Sequence, residues 1–244
     1  MGTQPNTQAA IIQAGVGVVV PHDMALDREL WRWAPDDVSL YFTRTPYTPL
    51  EVTLEMVTLI SEYDDIARCT RNLATTESEV YAYACTSGSF VRGLTGEREL
   101  VQAMQKAGAP VAVTTTGALV EAMSRLGVSR VSVATPYEQE LAIRLGAFLV
   151  EAGVEMVGSA HLGLVGDIWK VPYDTTAALI RRADHPGAEA ILVSCTNLPT
   201  YDVIAPLEAE LGKPVITANQ ATMWAALGVI GRPGVGPGQR LLQV

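Results

Sequence analysis

The sequence predicts an α/β fold with parallel sheets, arranged as two similar lobes that share one cleft. Three observations predict it. Short runs rich in valine and isoleucine, bounded by turn residues, recur along the 244 residues as buried parallel strands do. Amphipathic helical patterns separate several of them, which implies strand–helix–strand units with right-handed crossovers. Finally, "VYAYACTSGSF" and "AILVSCTNLPT" place Cys85 and Cys195 in matching contexts 110 residues apart, about the size of one small domain.

In chain order, strands are expected over Gly15 to Val20, Val38 to Thr45, Val80 to Cys85, Pro110 to Thr115, Arg130 to Thr135, Gly153 to His161, Ala188 to Cys195 and Pro214 to Asn219. A helix over Gly117 to Gly127 shows apolar residues at helical spacing and stops at glycine. A second, over Tyr137 to Gly153, has Pro136 placed for a first helical turn. The lobe carrying Cys85 is expected over residues 1–112 together with 220–244, the last helix returning to it. The lobe carrying Cys195 is expected over 113–219.

Composition narrows the function. With 48% hydrophobic residues the chain can bury a sizeable core. Its 17 basic and 26 acidic residues give a net charge of −9, with no basic stripe to grip phosphates, so nucleic acid is not an expected partner. The N-terminal "MGTQPNTQAA" lacks a signal-peptide pattern and no apolar segment is long enough to span a bilayer, so a soluble, cytoplasmic protein without membrane partners is expected. Three cysteines in a chain of this length argue against a disulfide framework. His22, His161 and His185 show no ligand spacing, and neither a metal nor an organic cofactor is expected. Gly15-Val-Gly17 is only part of a dinucleotide fingerprint.

In parallel sheets, ligands bind outside the carboxyl ends of the strands. Both Cys85 and Cys195 fall there, as do Pro21, His22, Asp23, Thr115, Tyr137, Asp167 and Asn219. Backbone N–H groups and the hydroxyls of this rim suit a carboxylate. A thiol on each side of a cleft can exchange protons with opposite faces of one carbon, or attack carbon and then manage its proton. A lone cysteine is more often an inert core residue, the reading given to Cys69, and one of Thr114 to Thr116 is expected to cap the following helix.

With these residues in view, the chain resembles the aspartate/glutamate racemase superfamily, in the branch of maleate cis-trans isomerase and arylmalonate decarboxylase. The resemblance runs through "VVVP", "YACTSGS", "TTTGALVEAMSRLGVSRVSVATPY", "ILVSCTNLP", "GKPVITANQATMWAAL" and "PGVGPGQRLL". It implies two Rossmann-like lobes related by pseudo-twofold symmetry, the active site between them, no cofactor, and a homodimer or homotetramer. It further implies Cys85 as nucleophile, Cys195 as proton donor and acceptor, and Tyr137 as a hydrogen-bond partner of a substrate carboxylate. Thr86, Ser87, Thr196 and Asn197 match residues that surround the thiols. The first cysteine position is usually glycine in the decarboxylases, so Cys85 favours a two-thiol isomerase.

Where the isomerases carry substrate-binding asparagines, this chain has Asp23 or Met24 and, after the sixth strand, Asp167. An ionised aspartate there repels a dianion such as maleate. The block "DMALDRELWRW" resembles a superfamily protein found with ectoine-degradation enzymes, whose substrate would pair a carboxylate with a nitrogen cation. The expected function is therefore a cofactor-independent isomerase of small carboxylates. The alternatives are a racemase or epimerase of an amino-acid-like or ectoine-type carboxylate, a decarboxylase using Cys195 alone, and a non-catalytic binding protein. The isomerase chemistry needs a thiolate, and N–H groups at helix starts after each cysteine, with the Thr86 and Thr196 hydroxyls, are expected to lower the thiol pKa.

Overall fold

The computed structural model describes residues 13–244; residues 1–12, which include the segment read above for a signal pattern, lie outside it. The first half runs β1 (Ala14–Val20), α1 (Asp27–Trp31), β2 (Val38–Arg44), α2 (Leu54–Leu59), α3 (Tyr63–Asn72), β3 (Val80–Tyr83), α4 (Thr86–Phe90), α5 (Gly93–Lys106) and β4 (Ala112–Thr114). The second runs α6 (Thr115–Arg125), β5 (Arg130–Thr135), α7 (Gln139–Glu151), β6 (Glu155–His161), α8 (Tyr173–Ala183), β7 (Ala190–Val193), α9 (Tyr201–Leu211), β8 (Val215–Thr217) and α10 (Ala218–Val229).

Two parallel four-stranded sheets result, in the orders β2-β1-β3-β4 and β6-β5-β7-β8. The order is the same in both, and so is the consequence. The chain leaves β1 on one side to make β2 and returns on the other to make β3, which opens a crevice at the carboxyl ends of β1 and β3. In the second sheet the crevice opens between β5 and β7. Central strands β3 and β7 are buried throughout, and β1 and β5 at every residue but their first, because helices cover both faces. Edge strand β6 is mostly open on its outer face.

The boundary expected after residue 112 falls inside β4, which pairs with β3 through Tyr83 and Thr114. The first sheet therefore continues to Thr114. Helix α10 follows β8 but packs on α6, β3 and β4, with Thr115 and Thr222 hydroxyls 2.9 Å apart. Thr114 caps α6 by accepting from the Gly117 N–H at 3.0 Å. Pro136 does not open α7, which starts at Gln139; its carbonyl instead accepts from Leu164 N–H at 2.8 Å. Asn219, expected at a strand end, lies within α10. No helix among the described residues is long and apolar enough to cross a membrane.

Contacts between distant segments lock the two halves. Buried Glu29 of α1 accepts from Thr200 N–H at 3.0 Å, from the Thr200 hydroxyl at 2.9 Å and from Tyr201 N–H at 3.2 Å. It thus serves as a borrowed N-terminal cap for α9, which lacks a side-chain cap of its own. Nearby, Arg32 bonds Asp202 at 2.8 Å and lies 3.7 Å over the Tyr201 ring. Trp33 is buried and its indole N–H donates to Gln239 at 2.9 Å. Replacing Glu29 with alanine takes the acceptor from these three donors and from the Tyr173 hydroxyl, which reaches it at 3.4 Å, and Glu29→Ala is expected to cost roughly 1–3 kcal/mol. A lowered urea midpoint with unchanged slope in equilibrium unfolding checks this.

Candidate active site

Strand β3 ends at Tyr83, two residues before the sequence reading placed its end, because Cys85 leaves the ladder to cap α4. Its backbone is extended (φ −146°, ψ 112°), and its sulfur takes the place of the usual capping oxygen. The Gly88 N–H donates to the Cys85 Sγ at 3.4 Å, and the Ser87 hydroxyl lies 3.9 Å from it. Tyr83, on the same face two residues earlier, donates its hydroxyl to the Ile60 carbonyl at 2.8 Å.

Cys195 is held differently. Strand β7 ends at Val193, and Cys195 takes φ +96°, a conformation that costs a side-chain-bearing residue about 1–3 kcal/mol. No helix begins directly after it; a turn follows, and α9 starts only at Tyr201. Within the turn, Asn197 N–H donates to Cys195 Sγ at 3.4 Å. The strained backbone is fixed from the other lobe, where Thr86 Oγ1 accepts the Cys195 N–H at 3.2 Å. Asn219 supports the same turn by donating to the Thr196 carbonyl at 2.9 Å.

Both thiols line one narrow cavity of about 20 Å³, room for a single water, with Pro21, Asp23, Thr86, Ser87, Tyr137, Thr196 and Asn197. Val52, Met56, Ile60 and Ile168 form an apolar wall. That wall is held across the chain by Val52 N–H donating to Val165 O at 2.8 Å. The Asn197 side chain is committed to the loop after β1: it accepts from Ala25 N–H and donates to the Asp23 carbonyl, each at 3.0 Å. It positions Asp23 instead of presenting itself to a ligand.

Burial dominates the electrostatics. It pushes the Cys85 thiol up to about 11 and the Cys195 thiol up to about 12, outweighing the donors that oppose it. For Cys85 those donors are Gly88 N–H and Ser87, the nearby Tyr83 hydroxyl giving its proton to Ile60; for Cys195 they are Tyr137 and Asn197 N–H. The negative field of Asp23 raises both further. The expected lowering of the thiols is thus corrected: in the free site both are neutral at pH 7. Burial also raises the Asp23 carboxyl, which His22 partly offsets.

Residues 52–242 match the family model described as arylmalonate decarboxylase. The chain is 31% identical to the arylmalonate decarboxylase of Bordetella bronchiseptica over 91% of this chain and 94% of that one. The chain belongs to the arylmalonate decarboxylase family. It is also 28% identical to the maleate isomerase of Pseudomonas putida, over 75% of this chain and 76% of the other. A liganded arylmalonate decarboxylase in which a glycine is changed to cysteine and a cysteine to serine superposes with a TM-score of 0.85. It shares 30% identity and covers 94% of this chain and 98% of that one.

Within this family scaffold, two of the sequence-predicted site residues lie elsewhere. Asp167 is 70% exposed and pairs with Lys170 at 3.0 Å. It lines a surface depression with His22 and Tyr47, because the backbone turns at its φ of +52° and sends the next residue, Ile168, to the cavity. Thr115 is buried beneath the cavity, its hydroxyl donating to the Tyr83 carbonyl at 3.3 Å. Cys69 is buried, its thiol on the Arg44 carbonyl at 3.2 Å. Sequence reasoning missed Val52, Met56, Ile60, Ile168 and Tyr83. Only Tyr83 carried a signal, since its two-residue spacing from Cys85 puts both side chains on one face.

Gly88 has no room for a side chain. A Cβ there would sit 2.2 Å from the Tyr83 hydroxyl and 3.1 Å from Cys85 Sγ. Gly88→Ala is expected to destabilise by about 1–3 kcal/mol, read as a lower melting temperature together with a changed alkylation rate at Cys85. In the wild type, iodoacetamide alkylation is expected to rise about tenfold per pH unit from pH 7 to pH 10, since only the thiolate reacts. A plateau near pH 8.5, the free-cysteine value, would contradict the raised thiols.

Proposed function

We propose that this protein is a cofactor-independent isomerase of small carboxylates, similar to maleate cis-trans isomerases, in which Cys85 is the nucleophile and Cys195 manages the proton. The observation that carries this reading is the convergence of one thiol from each half on one cavity, braced together by the Thr86–Cys195 bond. A substrate carboxylate is received by Thr86, Ser87 and Thr196, whose polar groups face the thiols, and by the Tyr137 hydroxyl beside Cys195.

In the cis–trans reaction, the Cys85 thiolate forms a C–S bond with one alkene carbon. The π electrons move to the neighbouring carbon, which takes the proton of the Cys195 thiol. Rotation about the new single bond follows. The Cys195 thiolate then recovers the proton, the C–S bond breaks, and the trans product leaves with Cys85 again a thiolate. Both thiols being neutral in the free site, the Cys85 proton must leave as the substrate binds, and a substrate carboxylate is the acceptor that binding supplies for it.

A second reading, decarboxylation using Cys195 alone, draws on the family match and on the identity to arylmalonate decarboxylase. There Cys195 would protonate the carbanion left after loss of carbon dioxide, and Cys85 would be dispensable.

Proton NMR in deuterated buffer separates these readings, with wild type, Cys85→Ala and Cys195→Ala each given maleate, an arylmalonate and free amino acids. Isomerisation, or deuterium entering an α position, that falls at least about a thousandfold in both variants supports the two-thiol reading. Carbon dioxide loss that survives Cys85→Ala and vanishes with Cys195→Ala replaces it with decarboxylation.

A further inference from the structure

One buried hydroxyl stands between the Cys85 sulfur and the apolar wall of the cavity. Tyr83 is fully buried, and its hydroxyl donates to the Ile60 carbonyl at 2.8 Å. The same oxygen lies beside the sulfur: a Cβ at Gly88 would press on the Tyr83 hydroxyl and sit 3.1 Å from Cys85 Sγ, so the two atoms flank one point. A phenol has one proton to give. With that proton on Ile60, Cys85 keeps the Gly88 N–H at 3.4 Å and the more distant Ser87 hydroxyl. Cys195 differs, because the hydroxyl beside it, from Tyr137, gives no hydrogen bond to the wall among the described residues.

Ile60 ends α2, and the wall it forms with Val52 and Met56 is thinly tethered. From residue 46 to residue 60, two hydrogen bonds among the described residues reach distant parts of the chain: Val52 N–H to the Val165 carbonyl at 2.8 Å, and Tyr83 to Ile60. The surroundings of the sulfurs are by contrast braced across the two halves by Thr86, Asn197 and Glu29. With the wall seated the cavity holds a single water, so a substrate or an alkylating reagent enters as the wall moves out. That movement breaks the bond from Tyr83. The Ile60 carbonyl, at a helix end, then finds water, while the tyrosine stays on β3 with its hydroxyl beside the sulfur. A thiolate accepts such a hydrogen bond more strongly than a thiol.

We propose that Tyr83 is a positioning residue that ties the charge of Cys85 to the place of the wall: seated, α2 holds the tyrosine's proton on Ile60, and displaced, it frees that proton to hydrogen-bond the sulfur and hold it as a thiolate. Tyr83 keeps its own proton throughout. The proton that Cys85 loses passes to the carboxylate of the entering substrate, so the step balances without another reagent. The use made of the thiolate rests on the two-thiol reading above; the switch itself rests on the wall and the hydroxyl. The titratable groups that act on Cys85 are Tyr83, Asp23 from the loop after β1, and Cys195 and Tyr137 from the other half. Of these, Tyr83 is bonded to the wall.

Limited alkylation of the full-length protein with iodoacetamide tests this without turnover, with Cys85 and Cys195 quantified separately by peptide mass spectrometry across a range of pH. Both thiols share the cavity, so the opening of the wall cancels in the ratio of their rates. In Tyr83→Phe the rate at Cys85 relative to Cys195 is expected to fall about tenfold at pH 7, as loss of one hydrogen bond to a charged group predicts. A tyrosine that merely fastens the wall would leave both thiols reacting faster at an unchanged ratio, which overturns the proposal. Met56→Ala loosens the wall with the hydroxyl in place, and so reads the coupling even if Tyr83→Phe does not fold. Its alkylation midpoint at Cys85 is expected to move down by about one pH unit more than that at Cys195. Equal movement of the two midpoints, or none, overturns the proposal as well. A ratio that follows Tyr83 while Cys85→Ala keeps full activity in the NMR experiment would sink the nucleophile reading alone and leave the switch standing.

Discussion

The hydrogen bond from the Cys195 N–H to Thr86 Oγ1 is the contact around which this molecule is organised. Its length is 3.2 Å, it is buried, and it joins residues 109 apart in the chain. Thr86 is the first residue of α4, directly after Cys85, so the bond ties the backbone of one thiol to the neighbour of the other. Without it the positive φ of Cys195 would have to be maintained by a five-residue turn alone. With it, each half supplies part of the geometry of the other's sulfur. The Asn197 bonds to the loop after β1 and the Glu29 cap of α9 brace the same junction at its flanks. Relative movement of the lobes would disturb all three sets together, which is why the thiol separation is a property of the whole fold.

That rigidity has an electrostatic consequence. Closing the cavity over two sulfurs removes the water that would solvate a thiolate, and no cation is brought in to replace it. The short α4 and the turn after Cys195 contribute single N–H donors, at 3.4 Å in both cases. Such donors moderate the loss of solvation without reversing it. The resting site is therefore unreactive, and reactivity depends on what a ligand brings. A closed, dry site also strengthens each polar contact a bound substrate makes, so selectivity by charge is greater here than on an open surface.

Much of this was legible in the sequence because it depends on local pattern. Valine-rich runs flanked by turn residues located all eight strands, and the repeated cysteine context located both thiols. Tyr137 followed from its place after β5. The cavity wall was not legible, since Val52, Met56 and Ile60 belong to an ordinary apolar segment whose placement depends on the Val52–Val165 bond. Asp167 shows the limit of reading by position: a left-handed backbone at that residue exchanged it for Ile168. The direction of the thiol shift was misread for a different reason. Donors near a cysteine are visible in sequence, whereas the depth of burial that outweighs them belongs to the assembled cavity.

The two halves share a sheet order, yet the ways they support their thiols are not copies. Register places Val19 beside Tyr83 in the first sheet and Ala134 beside Val193 in the second, so Pro21 corresponds to Pro136 and His22 to Tyr137. Tyr83, beside Cys85, has Val193 as its counterpart; Tyr137, beside Cys195, has His22, which turns outward against Tyr47. Each thiol thus has one tyrosine hydroxyl at hand, delivered from non-equivalent strands. Asp23 lines the cavity, whereas Glu138, the residue that corresponds to it, is exposed. A symmetric pair of thiols would bind a substrate equally well in two orientations. The unequal surroundings of Cys85 and Cys195 instead give the cavity distinct ends, as a site needs when one end must recognise a group the other must exclude.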